Sequence, residues 1–114
     1  MKINPITTSI AVGISALMAY GFYSFNDNAL RMLLGIGSFI TFALTLFFVL
    51  GVRFDFYAQN INTRYASTLF FTAFLVSHLL FSFLTFTQGL YVVVHGILLL
   101  LYLLVLYYLA RPMA

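Results

Sequence analysis

The sequence predicts an all-α integral membrane protein with four transmembrane helices. Three observations lead to this fold class: 64% of the 114 residues are hydrophobic, only 6% are charged, and the apolar residues gather in four long runs. Soluble domains carry about 25% charged residues, so this composition does not supply an ordinary water-facing surface. A helix needs about 20 apolar residues to cross the hydrocarbon core of a bilayer, and each run has about that length.

Short connections separate the four predicted helices, which cover residues 6–25, 30–51, 67–86 and 90–110. Residues 52–66 are predicted to form the one substantial loop. Short links force neighbouring helices to run antiparallel, which predicts two hairpins joined by this loop. No segment outside the runs is long enough to fold separately, so the chain is expected to form a single domain.

Polar residues mark the starts of the first two predicted helices. Asn4 suits the N-cap of the first helix, and Pro5 suits its first helical position. Asp27 lies in a short polar turn, where its charge favours the positive end of the second helix. Arg31 follows four residues later and is expected to pair with Asp27.

The ends of the third and fourth predicted helices carry comparable signals. Asn60 or Asn62, both within the predicted loop, is expected to cap the third helix. Gly89 belongs to the tight turn before the fourth helix, and Pro112 marks the end of that helix.

The basic residues predict the orientation in the membrane. With four crossings, both termini and the 52–66 loop share one side. Four basic residues lie on that side and one on the other: Lys2, Arg53, Arg64 and Arg111 against Arg31. The positive-inside rule therefore predicts that both termini lie in the cytoplasm. The expected location is the bacterial inner membrane.

The composition argues against catalysis. The chain has no cysteine, and its two acidic residues, Asp27 and Asp55, both fall in predicted loops. Thiolate nucleophiles, cysteine metal ligands and paired carboxylates are therefore missing from the sequence. Five scattered basic residues are also too few for a nucleic-acid-binding face. We expect a protein that is not an enzyme and that has no cofactor, metal or nucleic-acid partner.

Two histidines within predicted spans are the strongest functional candidates. His78 lies in the third span and His95 in the fourth, and an ionisable group inside a span is a functional candidate by default. The pair could pass protons or sense pH, or it could ligate haem between facing imidazoles. The favoured interpretation is structural: each neutral imidazole bonds a neighbouring helix, for example through Ser82, one turn from His78.

Small and polar residues recur at helical spacing along the predicted spans. Small residues let helices approach closely in lipid, so helix packing is favoured over the lining of a polar pore. The packing candidates are Ala11, Ser15, Ala19 and Gly37. In addition to the two histidines, the polar candidates inside the membrane are Thr41, Thr45, Ser82, Tyr91 and Tyr102.

The 52–66 loop is the best candidate for a partner-binding surface, because it mixes cations, aromatic rings and amides on the predicted cytoplasmic side. A simple connector at the membrane surface is the equal alternative. The partner-binding candidates are Arg53, Phe54, Asp55, Phe56, Tyr57 and Arg64.

These features favour a small homo-oligomeric membrane subunit that senses the bilayer, or that anchors or signals to a cytoplasmic partner. The layout resembles that of small four-pass subunits of bacterial toxin-immunity and phage-defence operons, and the resemblance is one of architecture. The alternative is a homo-oligomeric channel for ions or small solutes that conducts between subunits, since one slender bundle has no room for a wide pore. A membrane anchor that binds haem through both histidines ranks third.

Overall fold

The described part of the protein is almost entirely helical. A computed structural model describes residues 2–25, 30–54, 56–84 and 86–110. Within these ranges, four helices are long and apolar enough to cross a membrane. The predicted presence of four long apolar helices is therefore confirmed.

In the same described ranges, two short strands accompany the helices. In chain order the elements are strand β1 (Lys2–Ile3), helix α1 (Pro5–Ser24), helix α2 (Arg31–Leu46), a π-helical turn (Phe47–Gly51), strand β2 (Val52–Arg53), helix α3 (Tyr57–Phe83) and helix α4 (Gln88–Ala110). The π-helical turn continues α2, so the second apolar span covers Arg31–Gly51.

The predicted loop at residues 52–66 is wrong over most of its length. Its first two residues form β2, and α3 begins at Tyr57, well before the predicted start at residue 67. The polar residues of these first turns bond to the protein itself: the Gln59 side chain donates to the Ala110 carbonyl at 2.8 Å. The Thr63 hydroxyl donates to the Gln59 carbonyl, one turn earlier in the same helix, at 2.6 Å. Hydropathy therefore identified only the apolar part of a longer helix.

The predicted caps of α3 are also wrong. Phe56 occupies the N-cap position, and its backbone N–H donates to the Gln59 side chain at 3.4 Å. Asn60 lies inside the first turn, where its side-chain amide bonds both the N–H and the carbonyl of Phe54. Asn62 lies further along the helix. Neither asparagine is available as a cap, because the helix has already begun before both of them.

The start of α1 follows the prediction and is held against the end of the second span. The Asn4 side chain accepts from the backbone N–H groups of Ile6 at 3.0 Å and Thr7 at 3.4 Å. The Asn4 backbone N–H donates to the Gly51 carbonyl at 2.9 Å. Beside this contact, β1 and β2 pair antiparallel. The first and second spans are therefore joined where α1 begins and the second span ends.

Some sequence predictions concern residues outside the described ranges, namely Asp27, Asp55, Arg111 and Pro112. The predicted pairing of Asp27 with Arg31 is one of them. Arg31 itself places its guanidinium carbon 4.9 Å from the centre of the Tyr23 ring. This geometry is that of a cation–π contact between the end of α1 and the start of α2.

Consecutive helices pack on one another, α1 on α2, α2 on α3 and α3 on α4. The buried residues of α1 are Ala11, Ser15 and Ala19, a stripe of small side chains with one residue in each turn. The bundle is flattened, with extents of 48 × 27 × 15 Å. Large apolar side chains such as Leu17 and Phe83 are exposed on its outside. Such a surface suits contact with lipid.

Candidate functional site

The two histidines and a tyrosine form one buried cluster between α3 and α4. The ring centres of His78 and His95 lie 4.4 Å apart. The Tyr91 ring lies 4.1 Å from that of His95 and 5.6 Å from that of His78. All three side chains are buried. Because α4 places Tyr91 one turn before His95, both residues point to the same face of that helix, toward α3.

Hydrogen bonds define the tautomer of His78. Its Nδ1 lies 2.8 Å from the Phe74 carbonyl oxygen, which can only accept, so Nδ1 carries the proton. Nε2 of the neutral ring is then an acceptor, and the Tyr91 hydroxyl donates to it at 2.7 Å. The imidazole therefore connects a carbonyl of its own helix to a hydroxyl of α4.

His95 makes the reciprocal connection. Its Nδ1 donates to the Tyr91 carbonyl at 2.9 Å, and its Nε2 accepts from the Ser77 hydroxyl at 2.9 Å. Each histidine thus bonds a carbonyl one turn earlier in its own helix and a hydroxyl of the facing helix. Two neighbouring residues of α3, Ser77 and His78, therefore bond α4 at adjacent levels.

The prediction that the His78 ring bonds the Ser82 hydroxyl is wrong. The Ser82 hydroxyl donates to the His78 backbone carbonyl at 2.8 Å, whereas the ring bonds Phe74 and Tyr91. Ser77, which bonds His95, was missed altogether. The sequence does contain a hint of this bond: Ser77 is a hydroxyl residue next to His78, and the predicted neighbouring helix α4 carries a second histidine. The missing information was the register between the two helices.

The cluster fits poorly with a metal or haem site. All four ring nitrogens of the histidine pair have partners within the protein. A metal binds an imidazole through an unprotonated nitrogen, so it would have to displace the Tyr91 or the Ser77 hydroxyl. The contact between the two rings leaves no gap for a porphyrin plane. Among the described residues, no group of three or more histidine or acidic side chains is placed to hold a metal ion.

Aromatic side chains from α1, α2 and α3 surround the histidines. Phe22 of α1 and Phe42 of α2 place their ring centres 5.6 Å and 5.3 Å from that of His78. Phe81 of α3 lies 5.2 Å from His95. All four helices therefore contribute to one core, and ring pairs at these separations attract one another beyond their buried area.

Gly37 of α2 makes room for this arrangement. A Cβ atom at residue 37 would overlap the Tyr91 hydroxyl and approach its ring carbon Cζ to 2.8 Å. Glycine therefore lets the tyrosine pass close to the α2 backbone on its way to His78. This close approach is the packing use of small residues in membrane helices.

The hydroxyl groups of the predicted stripes bond their own helices. Ser15 donates to the Ala11 carbonyl at 2.8 Å, and Thr45 donates to the Thr41 carbonyl at 2.8 Å. Thr41 in turn donates to the Gly37 carbonyl at 2.9 Å. These side chains are buried against neighbouring helices, and their polar atoms are occupied by backbone oxygens.

A second polar connection joins α3 and α4 nearer the start of α3. The Tyr102 hydroxyl lies 2.7 Å from the Ser67 hydroxyl, and both side chains are fully buried. The Phe70 ring packs 5.0 Å from that of Tyr102. Tyr102 was a sequence candidate and Ser67 was not, because its partner lies 35 positions away in the chain.

Basic residues gather at the end of the bundle that carries β1 and β2. Lys2, Arg53 and Arg64 line an open depression of about 650 Å³. A smaller depression of about 330 Å³ beside it is lined by Lys2, Arg53, Phe54, Tyr57 and Asn60. Four of the partner-binding candidates, Arg53, Phe54, Tyr57 and Arg64, therefore lie around these depressions, and Phe56 is exposed nearby. Lys2 joins them through strand pairing, which the sequence pattern did not indicate.

Over the part of the chain that the structure describes, the fold is one of four apolar helices, each of membrane-spanning length. No protein-family model, curated protein or solved structure matches the chain. A functional assignment therefore has to be argued from the geometry of the chain itself.

Proposed function

We propose that the protein is a small structural subunit of the bacterial inner membrane that presents a basic end face to a cytoplasmic protein partner. One observation carries this proposal. The polar side chains of the histidine cluster and of the α2 hydroxyl stripe bond one another or their own helices, whereas Lys2, Arg53 and Arg64 gather at one end. The interior is thus organised for packing, and the polar surface with recognition chemistry lies at the end of the bundle.

The proposed topology has two antiparallel hairpins with both termini in the cytoplasm. Support comes from the pairing of β1 with β2, since it brings the segment before α1 to the end of the second span. The distribution of basic residues supports the cytoplasmic assignment of that end. The apolar outer faces of the flattened bundle are compatible with homo-oligomers in the bilayer.

The occupied hydroxyl groups argue against a conduction path within one bundle. A polar pore needs side chains or carbonyls that exchange partners with the permeating solute. Thr41 and Thr45 instead donate to carbonyls of α2, and Tyr91 donates to His78. A channel would therefore have to run between subunits, as the alternative sequence interpretation supposes.

Site-specific photo-crosslinking in the host cell tests the proposal. A photoreactive phenylalanine analogue replaces either Tyr57, at the basic end, or Tyr20, toward the other end of α1. These two tyrosines form a matched pair, because they are 80% and 68% exposed. We expect a cytoplasmic protein to crosslink to position 57 and not to position 20. The crosslink should disappear in Arg53→Ala/Arg64→Ala.

Two outcomes would contradict the structural-subunit proposal. One is crosslinking of equal yield at both positions, since the basic end would then have no special role. The other is ion flux through liposomes that contain the purified protein, above the flux through protein-free liposomes. The second result would identify the protein as a channel.

A further inference from the structure

The pairing of β1 with β2 places two cations side by side. Lys2 lies directly opposite Arg53 in the antiparallel register. Directly opposed side chains project from the same side of a ladder, with Cβ atoms about 4.5–5.5 Å apart. Like charges in this relation destabilise a strand pair, and this pair is only two residues long. An anion bound between the two side chains would remove that repulsion.

A third cation completes the site. Arg64 of α3 joins Lys2 and Arg53 around the depression of about 650 Å³, which also has the polar side chains of Asn4 and Thr7 on its wall. All three cations are exposed. The described residues include no aspartate or glutamate to neutralise them, since Asp27 and Asp55 both lie outside the described ranges.

The position of this depression favours a lipid ligand. It lies where α1 begins and where the second span ends at Gly51. Its wall also contains the exposed apolar side chains of Ile3 and Leu50. A ligand with a charged head and an acyl chain would meet both kinds of surface, whereas a free phosphate ion would use only the charged part.

We propose that Lys2, Arg53 and Arg64 form a binding pocket for the phosphate of an anionic membrane lipid. The proposal rests on the membrane placement given under the proposed function. Arginine guanidinium groups bind phosphate oxygens in pairs, and lysine adds a compact positive charge. Basic pockets at the cytoplasmic ends of transmembrane helices are suited to such headgroups. The bound phosphate would fasten β1 to β2 and so order the surface offered to a partner.

Lipid binding to the purified full chain tests the pocket. Native mass spectrometry compares phosphatidylglycerol with phosphatidylcholine of the same acyl chains, and we expect phosphatidylglycerol to bind more tightly. Each of Lys2→Gln, Arg53→Gln and Arg64→Gln should weaken its binding by about fivefold. Arg31→Gln is the matched control, because it removes one charge near the opposite end of α1, beside Tyr23, and should leave lipid affinity unchanged.

Several results would overturn the lipid pocket. Equal affinity for the two lipids would show that the depression does not select an anionic headgroup. An equal loss of phosphatidylglycerol affinity in Arg31→Gln would show that lipid binding depends only on the net charge of the protein. Competition by millimolar inorganic phosphate that empties the pocket would assign it to a soluble anion. Arg64→Lys, which keeps the charge on an exposed helix position, controls for misfolding and should retain the preference. If the preference fails while the crosslink at position 57 persists, the partner-binding role stands and the lipid pocket does not.

Discussion

At the scale of single residues, His78 and His95 are bifunctional connectors. Each ring has one nitrogen that donates to a carbonyl of its own helix and one that accepts a hydrogen bond from a hydroxyl of the facing helix. Interhelical hydrogen bonds in membrane proteins contribute about 0.6 kcal/mol on average, and up to about 1.7 kcal/mol. Two such bonds give modest stability, but they fix the rotation and height of α3 against α4.

The contact between Gly37 and Tyr91 gives a prediction at this scale. Gly37→Ala should lower the free energy of unfolding by about 1–3 kcal/mol, because the new methyl group displaces the Tyr91 hydroxyl from His78. Tyr91→Phe should lower it by about 1–2 kcal/mol, since His78 loses its donor. The double variant should lose less than the sum, because the two changes act on the same hydroxyl. Denaturant titration in detergent micelles measures all three.

Two control variants complete this double-mutant cycle of Gly37→Ala and Tyr91→Phe. Gly13→Ala, at a position where a Cβ meets nothing within 4 Å, should leave stability unchanged or raise it slightly. Tyr107→Phe, at an exposed position of α4, should change stability by less than about 0.5 kcal/mol. Strict additivity of the Gly37 and Tyr91 effects would show that the hydroxyl does not couple them.

At the scale of elements, α3 combines an apolar span with a polar N-terminal extension. The hydropathy of this polar part resembles that of a connector, so the sequence pattern predicts a loop there. In the structure, Gln59 of this extension donates to the Ala110 carbonyl near the end of α4. The last carbonyls of a helix have no partner within that helix, so this bond stabilises the terminal turn of α4.

Removal of the Gln59 amide should therefore loosen the end of α4. Gln59→Leu is expected to cost about 1 kcal/mol locally and to raise amide exchange about fivefold over residues 106–110. Asn62→Leu is the control, as it lies at an exposed position of the same helix. Hydrogen–deuterium exchange with mass spectrometry reads both variants. Unchanged exchange in Gln59→Leu would mean that the terminal turn is held by packing alone.

At the scale of the whole molecule, the absence of cysteine from the sequence allows the topology to be mapped with single cysteines. Ala58→Cys marks the start of α3 and Gln88→Cys the start of α4, and both positions are exposed. With both termini inside, a membrane-impermeant maleimide added to intact cells should label position 88. Position 58 should react only after permeabilisation.

The reverse labelling pattern would overturn the proposed orientation and, with it, the cytoplasmic placement of Lys2, Arg53 and Arg64. Labelling of both positions in intact cells would contradict the antiparallel arrangement of the last two helices. Either result would leave the packing of the histidine cluster unaffected, because its hydrogen bonds do not depend on the direction in which the bundle is inserted.

The sequence by itself determined that this chain forms four long apolar helices, because hydropathy averaged over some 20 residues is a local property of composition. It also identified His78, Tyr91 and His95 as unusual groups for such an environment. Only the tertiary structure decided which groups meet: Tyr91 with His78, Ser77 with His95, and Lys2 with Arg53. These pairings depend on the rotation and height of one element against another, which packing of the whole bundle sets and helical periodicity alone does not.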